Sequence, residues 1–102
     1  MRGILSVAST ARPLTPAAYQ EVSVGSVAVG LTLASAQGCQ LAVIRFEAGP
    51  VRYRVDGGVP STTVGMVGND TDEEVLSSLE AQNFQAIRTS VTNGTLHVTY
   101  LK

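Results

Sequence analysis

The sequence predicts a small all-β protein, an antiparallel β-sandwich or jelly-roll-like barrel of about seven to eight short strands. Three observations support this fold class. Apolar and polar residues alternate in several runs, most regularly over residues 51–56 and 95–100, as in strands with one buried face. Turn-forming residues separate these runs at intervals of about 8–12 residues. No run shows a clear helical period.

The N-terminal residues differ in composition from the rest of the chain. Residues 1–16 are small and polar and contain Pro13 and Pro16, and a residue before proline is pushed toward extended backbone. We therefore expect an extended arm over residues 1–16 and a single β-sandwich domain over residues 17–102. The arm fits either a frayed terminus or a segment that lies across a neighbouring subunit. In the second case its apolar residues contact the neighbour, namely Ile4, Leu5, Val7 and Leu14.

Two strands and a turn are predicted after the arm. Residues 19–24 alternate and form the first strand. Residues 27–33 are apolar at successive positions, and Gly30 in their centre indicates a bulge or a close backbone approach. We expect two short pieces or one bent strand there. Residues 34–38 are small and predict a turn.

Residues 40–57 are the stretch around which the chain is organised. Their first half belongs to a nearly continuous hydrophobic run, residues 39–47, which is typical of a central strand. A turn signal at residues 48–50 leads into the alternating run 51–56. We predict a hairpin to which the remaining strands are added. Three side chains of the second run are predicted to point into the core: Val51, Tyr53 and Val55.

The middle of the chain is the least regular. Residues 57–66 contain glycines and a proline and predict a loop, longer than a hairpin needs, of a kind that often makes contacts. The acidic run 67–74 favours a solvated turn over a calcium site, because the spacing of an EF-hand loop is absent. Residues 73–80 fit a helix capped by Thr71 or Asp72, or a strand followed by a turn at 81–83. The β-rich surroundings favour the strand.

The last part of the chain predicts a closing hairpin. Residues 84–89 and 95–100 both alternate, and Asn93-Gly94 between them is the preferred dipeptide of a tight hairpin turn. In the last strand Leu96, Val98 and Tyr100 are predicted to be buried, and Thr95, His97 and Thr99 to face solvent. The predicted core of the domain contains Ile44, Phe46, Tyr53, Val98 and Tyr100.

No pattern typical of an enzyme or a cofactor site is present, so we predict a non-enzymatic protein with no catalytic, cofactor-binding or metal-binding residues. His97 is predicted on the surface, without a cysteine or an adjacent carboxylate for a relay. Cys39, the single cysteine, excludes an internal disulfide and a multi-thiolate metal site, and is expected to be a small buried apolar residue. The glycines match no phosphate-binding motif. No apolar run has the roughly 20 residues of a transmembrane helix.

The charge content favours packing against other proteins. A net charge of -1 gives no general attraction to nucleic acid or to an anionic membrane, so neither is an expected partner. Charged residues make up 15% of the chain, below the average of about 25%. Such a surface is easily desolvated. Because the chain is short and lacks tryptophan, its core is thin, and we expect self-association.

Two arginines, Arg52 and Arg54, lie on the same face of their predicted strand. Together they can bind a carboxylate or a phosphate. Glu47, across the predicted turn, is the simpler partner and favours a structural cross-strand pair.

A combination of motifs over residues 19–102 resembles a family of small proteins encoded among the structural genes of tailed bacteriophages. The segment 52–61 has the pattern R-[YW]-R-x-D-G-x-x-P-[ST] and is followed by Gly65-Met66. An alternating strand ending at Glu47 precedes it, and the runs N-F-x-A-I-R, residues 83–88, and T-L-x-V-T-Y, residues 95–100, follow. The acidic segment 69–74 departs from the family's pattern.

The resemblance implies a β-sandwich component of the virion, assembled in the cytoplasm of the bacterial host, and no catalytic residue. Its first expected role is to decorate or cement a capsid by packing on the major capsid protein or other virion subunits. A position at the head–tail junction or on the tail or fibre is the alternative, as is a receptor- or carbohydrate-binding sandwich. Exposed aromatic residues in loops would favour sugar binding, but all five aromatic residues lie in predicted strands.

By analogy with other capsid-decorating sandwiches we expect a homo-oligomer, with a trimer favoured. The candidate interaction residues are Ile4, Leu5, Val7, Leu14, Arg52, Arg54, Val59 and Met66.

Overall fold

Residues 14–102, the part of the chain described by the computed structural model, form two antiparallel four-stranded sheets, which confirms the predicted all-β sandwich. The first sheet has the strand order β1-β8-β3-β6 and the second has the order β2-β7-β4-β5. Two short helices, α1 (Leu33–Gly38) and α2 (Ser78–Asn83), connect strands. The strands are β1 (Pro16–Val24), β2 (Val29–Gly30), β3 (Leu41–Ala48), β4 (Val51–Arg54), β5 (Met66–Gly68), β6 (Glu73–Ser77), β7 (Gln85–Arg88) and β8 (Gly94–Leu101).

The core between the sheets contains the residues that the alternation predicts. All five predicted core side chains are between 0% and 4% exposed: Ile44, Phe46, Tyr53, Val98 and Tyr100. Along β8 every second residue is buried, so Leu96 joins the core while His97 faces outward, as predicted. Cys39 is buried as well. The buried face of each strand is thus encoded locally, because side chains alternate with a period of two residues.

Tyr53 links the two sheets at the centre of this core. Its ring lies between those of Phe46 and Phe84, with ring centroids 5.3 Å and 5.5 Å away. Its hydroxyl donates a hydrogen bond of 2.8 Å to Oε2 of Glu74, which lies on β6 in the other sheet. Burial and this bond raise the pKa of the Tyr53 hydroxyl above its ordinary value. One side chain thus connects both sheets through apolar and polar contacts.

The hairpin predicted over residues 40–57 is wrong, because β3 and β4 belong to different sheets. Both edges of β3 are occupied, by β6 on one side and β8 on the other, so β4 has no place beside it. The segment 48–50 is therefore a corner that carries the chain from the first sheet to the second. Ala48 and Gly49 turn the chain with φ values of 59° and 92°. Val51 and Tyr53 point inward from the opposite sheet, and Val55 is partly buried against the core.

The predicted closing hairpin is wrong for the same reason. β7 pairs with β4 and β2, whereas β8 pairs with β1 and β3. The segment around Asn93-Gly94 crosses between the sheets. Gly94 is needed for space, since a Cβ atom there would lie 2.6 Å from Cγ1 of Val51. A turn dipeptide therefore marks a change of direction without specifying that the flanking strands pair.

The two helices replace segments that were predicted as a turn and as the end of a strand. α1 covers the predicted turn at 34–38, and the stretch 73–80 contains both β6 and the first residues of α2. The helix cap is Ser77 instead of Thr71 or Asp72. Ser77 Oγ accepts a bond of 3.2 Å from the Glu80 amide, and Glu80 Oε1 accepts one of 2.9 Å from the Ser77 amide. At six residues each, both helices are too short to show a helical period.

Replacing Ser77 with alanine should destabilise the domain by about 1 kcal/mol, because an orphan amide of α2 loses its acceptor. A domain of this size then melts about 4–8 °C lower in a thermal denaturation followed by circular dichroism. Ser23→Ala is a suitable control, since Ser23 is exposed on β1. An equal loss in both variants would contradict the role of the capping box.

Two segments differ from expectation, one at the end of the predicted middle loop and one near the start of the domain. The stretch 66–68 forms the edge strand β5, and the predicted strand at 27–33 retains only β2, which pairs with β7. A Cβ atom at Gly30 would lie 3.0 Å from the Phe84 carbonyl oxygen, so the backbones approach closely there, as predicted.

In the acidic turn, Asp70 accepts a bond from the Ala48 amide and Asp72 from the Asn69 amide, at 3.0 Å and 2.9 Å. Asp72 thus stabilises the turn itself, whereas Asp70 connects the turn to the end of β3.

Strand pairing begins inside the segment assigned to the arm. Thr15 and Lys102 exchange two backbone hydrogen bonds of 2.8 Å and 2.9 Å, and Pro16 lies opposite Leu101. Leu14, just before them, is half-buried. Ile4, Leu5 and Val7 lie outside the described residues. Within residues 14–102 no helix is long and apolar enough to span a membrane.

Candidate interaction surface

The loop between β4 and β5, together with the edge strand β5, exposes four apolar side chains. Val59 is 63% exposed, Val64 51%, Met66 54% and Val67 46%. Met66 pairs with Tyr53 and Val67 with Arg52, so these two side chains point to opposite faces of β5. We call Val59, Val64 and Met66 the loop patch. Val64 and Met66 line a groove of about 290 Å³ together with Val55, Gly65 and the Arg54–Asp56 pair. Clustered exposed apolar residues bordered by polar ones are typical of protein interaction sites.

Arg52 holds this loop against the sheet. Its Nε donates a hydrogen bond of 3.2 Å to the Thr62 carbonyl oxygen, and its Nη1 donates one of 2.8 Å to that of Gly65. The predicted pair with Glu47 does not form, because Glu47 lies on the other sheet and contacts His97. Arg52 thus shapes the loop from beneath.

Arg54 fixes the start of the same loop. Its guanidinium donates two hydrogen bonds to the Asp56 carboxylate, of 3.0 Å and 2.6 Å, and Asp56 also accepts one from the Gly58 amide. The Arg54 bonds are the main reason why the pKa of Asp56 is lowered to about 2. Gly57 has a φ of 86°, and a Cβ atom at Gly58 would overlap the Arg54 guanidinium.

These contacts give the R-x-R-x-D-G-G segment a structural explanation. Arg52 binds the loop backbone, Arg54 binds Asp56, and Asp56 accepts from the Gly58 amide. The glycines supply the conformation and the space that this arrangement needs. Of the predicted interaction residues, Arg52 supports the loop and Arg54 borders the groove with Asp56, whereas Val59 and Met66 belong to the loop patch. Sequence reasoning missed Val64, although it is an apolar residue in a polar and glycine-rich neighbourhood.

The tip of the loop is ordered by a local turn. The Ser61 amide donates to the Val64 carbonyl at 2.9 Å, and Ser61 Oγ accepts from the Val64 amide at 3.0 Å. A loop held in one conformation before binding loses less conformational entropy when a partner docks. The loop patch is thus a preorganised apolar surface.

A second group of side chains lies on the outer face of the first sheet. His97 Nε2 is 2.6 Å from Oε1 of Glu47, and its Nδ1 is 2.5 Å from the Tyr19 hydroxyl and 3.6 Å from Oε2 of Glu21. The expectation that His97 has no adjacent carboxylate is therefore wrong. The neighbours come from β1 and β3, which flank β8. Tyr19 is 60% exposed although it lies in a strand, so strand location did not predict the burial of this aromatic residue.

Within the described residues, no group of three or more histidine, cysteine, aspartate or glutamate side chains is arranged to hold a metal ion. The Cys39 thiol donates to the Ala36 carbonyl oxygen at 3.2 Å, and burial raises the pKa of this thiol.

No protein-family model, curated protein or solved structure matches the chain.

Proposed function

We propose that this protein is a non-enzymatic structural component of a tailed-bacteriophage virion, and that it decorates or cements the capsid by packing on the major capsid protein. The observation that carries the proposal is the loop patch, an apolar surface held in place by Arg52 and Arg54. The same two arginines begin the motif on which the resemblance to phage structural proteins depends. The motif therefore supports a surface for contact rather than a reactive centre.

The charge distribution suits a packing role. Arg52 is bound by carbonyl oxygens of the loop, and Arg54, which borders the loop patch, is paired with Asp56. A partner that covers the loop patch therefore needs no charge to pair with either arginine. Burying apolar area of this kind contributes about 25 cal/mol per Å². Covering the three apolar side chains of the loop patch is favourable without any compensating charge on the partner.

Two further elements complete the proposed assembly. The N-terminal segment, with Ile4, Leu5 and Val7, is a second contact with neighbouring virion subunits. Homo-oligomerisation, with a trimer favoured, places several loop patches on one particle face and raises the effective concentration of each contact.

The test is the location of the chain in a phage preparation. Particles from a lysate of the source bacterium are banded in a density gradient, and the chain is quantified by mass spectrometry against the major capsid protein. The proposal expects the chain in the particle band in a copy number comparable with that of the capsid protein. A few copies per particle would favour the junction or the tail. Recovery only in the soluble fraction, with intact particles present, would overturn the virion assignment.

A further inference from the structure

A polar groove of about 450 Å³ lies on the outer face of the first sheet and shares no residue with the loop patch. Its volume falls in the range of about 300–1,000 Å³ found for small-molecule sites. The groove is formed by β3, β8 and the turn between β5 and β6. Its lining residues are Arg45, Phe46, Glu47, Asp70, Thr71 and His97.

An aromatic ring stands beside the polar groups of this groove. Tyr19, on β1, lies next to His97 with ring centroids 6.2 Å apart and an angle of 20° between the ring planes. Its hydroxyl is held by Nδ1 of His97, while Nε2 of the same ring is 2.6 Å from Glu47. His97 is therefore a positioning residue that fixes the tyrosine and the carboxylate relative to each other.

Several hydrogen-bonding groups remain available in the groove. Glu47 and Asp70 each engage one carboxylate oxygen within the chain, with His97 and with the Ala48 amide, and the second oxygen makes no hydrogen bond within residues 14–102. Within residues 14–102 the Arg45 side chain makes no hydrogen bond or ion pair, although Arg45 lies opposite Glu73 on β6 and His97 on β8. Donors and acceptors thus face the same space.

The charges around the groove limit the class of ligand. Glu47 and Asp70 line it and Glu21 and Glu73 flank it, so a phosphate or another anion is repelled. A simple cation is attracted by the carboxylates but offers no acceptor to the Arg45 guanidinium. A neutral molecule rich in hydroxyl groups serves both kinds of group, because it donates to the carboxylates and accepts from the guanidinium. An exposed aromatic ring suits a ligand that also has an apolar face.

We propose that this groove binds a neutral saccharide, with Arg45, Glu47 and Asp70 hydrogen bonding to ring hydroxyls and Tyr19, which lies outside the groove next to His97, packing on the apolar face of an adjoining sugar ring. The inference depends on the geometry of the first sheet and is independent of the virion assignment. The saccharide is either a free oligosaccharide or part of a polysaccharide on a cell surface.

The single histidine makes the groove directly observable by nuclear magnetic resonance, since the His97 ring gives the only imidazole signals of the chain. The full chain is titrated with glucose, galactose and N-acetylglucosamine and with their oligomers up to about 10 mM. A second titration uses neutral polysaccharide extracted from bacterial cell surfaces. Saturable shifts of the His97 signals with the small sugars assign the site to free oligosaccharides. Shifts only with the polymer assign it to surface polysaccharide. Unmoved His97 signals in both titrations overturn the proposal.

Variants test the proposed contacts one at a time. Arg45→Ala and Tyr19→Ala should each weaken binding at least about tenfold, by loss of a charged donor and of the aromatic surface. Tyr19→Phe keeps the ring and should bind within about threefold of the original chain. Arg88→Ala is the matched control, since Arg88 lies on the second sheet and contacts Asn93. Unchanged binding by Arg45→Ala, or tighter binding of glucuronic acid than of glucose, would contradict a neutral-saccharide site.

Discussion

Replacing Tyr53 with alanine is expected to cost about 3–5 kcal/mol of the free energy of unfolding. The buried ring fills the space between Phe46 and Phe84, so its removal leaves a cavity in the core between the sheets. A domain of this size has only about 5–15 kcal/mol of stability in total. The variant should therefore be partly or wholly unfolded well below the melting temperature of the original chain.

Tyr53→Phe separates the contribution of the ring from that of the hydroxyl. This variant loses only the hydrogen bond to Glu74, whose carboxylate is half-buried and can be rehydrated, so we expect a loss of about 1 kcal/mol. Urea denaturation measures both variants, with an unchanged m-value as the sign that the same surface is exposed on unfolding. A Tyr53→Ala variant within about 1 kcal/mol of the original chain would show that the core tolerates the cavity.

The double replacement Val59→Asp and Val64→Asp is expected to abolish retention on the phage particle, with binding weakened at least about a hundredfold. Both side chains are exposed, so the free protein should keep its stability. On a particle the new carboxylates would be buried against the capsid without partners, which is costly. The measurement is co-sedimentation of purified protein with particles from which the native protein has been stripped. This prediction depends on the proposed function.

Val91→Asp provides the matched control. Val91 is 92% exposed and lies in the segment after β7, where the Thr89 amide bonds to the Pro50 carbonyl at the opposite end of the second sheet. The same chemical change there should leave both stability and particle binding intact. If the double variant still co-sediments like the original chain, the particle contact lies elsewhere.

Sequence reasoning found part of the candidate surface. Val59 and Met66 were predicted as interaction residues and lie on the loop patch, because a long loop with apolar residues is visible in the sequence. The partners of Arg52 and Arg54 were not predictable from alternation alone. They are backbone carbonyls and a nearby carboxylate, which depend on how the loop folds back over β4.

The polar groove was missed entirely. Tyr19 and Glu47 both bond to His97, from which they are separated by 78 and 50 positions along the chain. They meet only because β8 lies between β1 and β3 in the first sheet. The one available signal was their outward position on alternating strands, which does not say which strands are neighbours.

The sequence by itself determined the fold class and which face of each long strand is buried, since both follow from the period-2 alternation that ends with Phe46, Tyr53 and Tyr100 in the core. Only the tertiary structure decided which sheet each strand joins. Two turn signals, at residues 48–50 and at Asn93-Gly94, predicted hairpins, yet both connect strands of opposite sheets. A turn reverses the chain direction whether or not the next strand pairs with the last. Pairing is settled by competition among all strands for the edges of β3 and β8, and that competition involves residues distant in the chain.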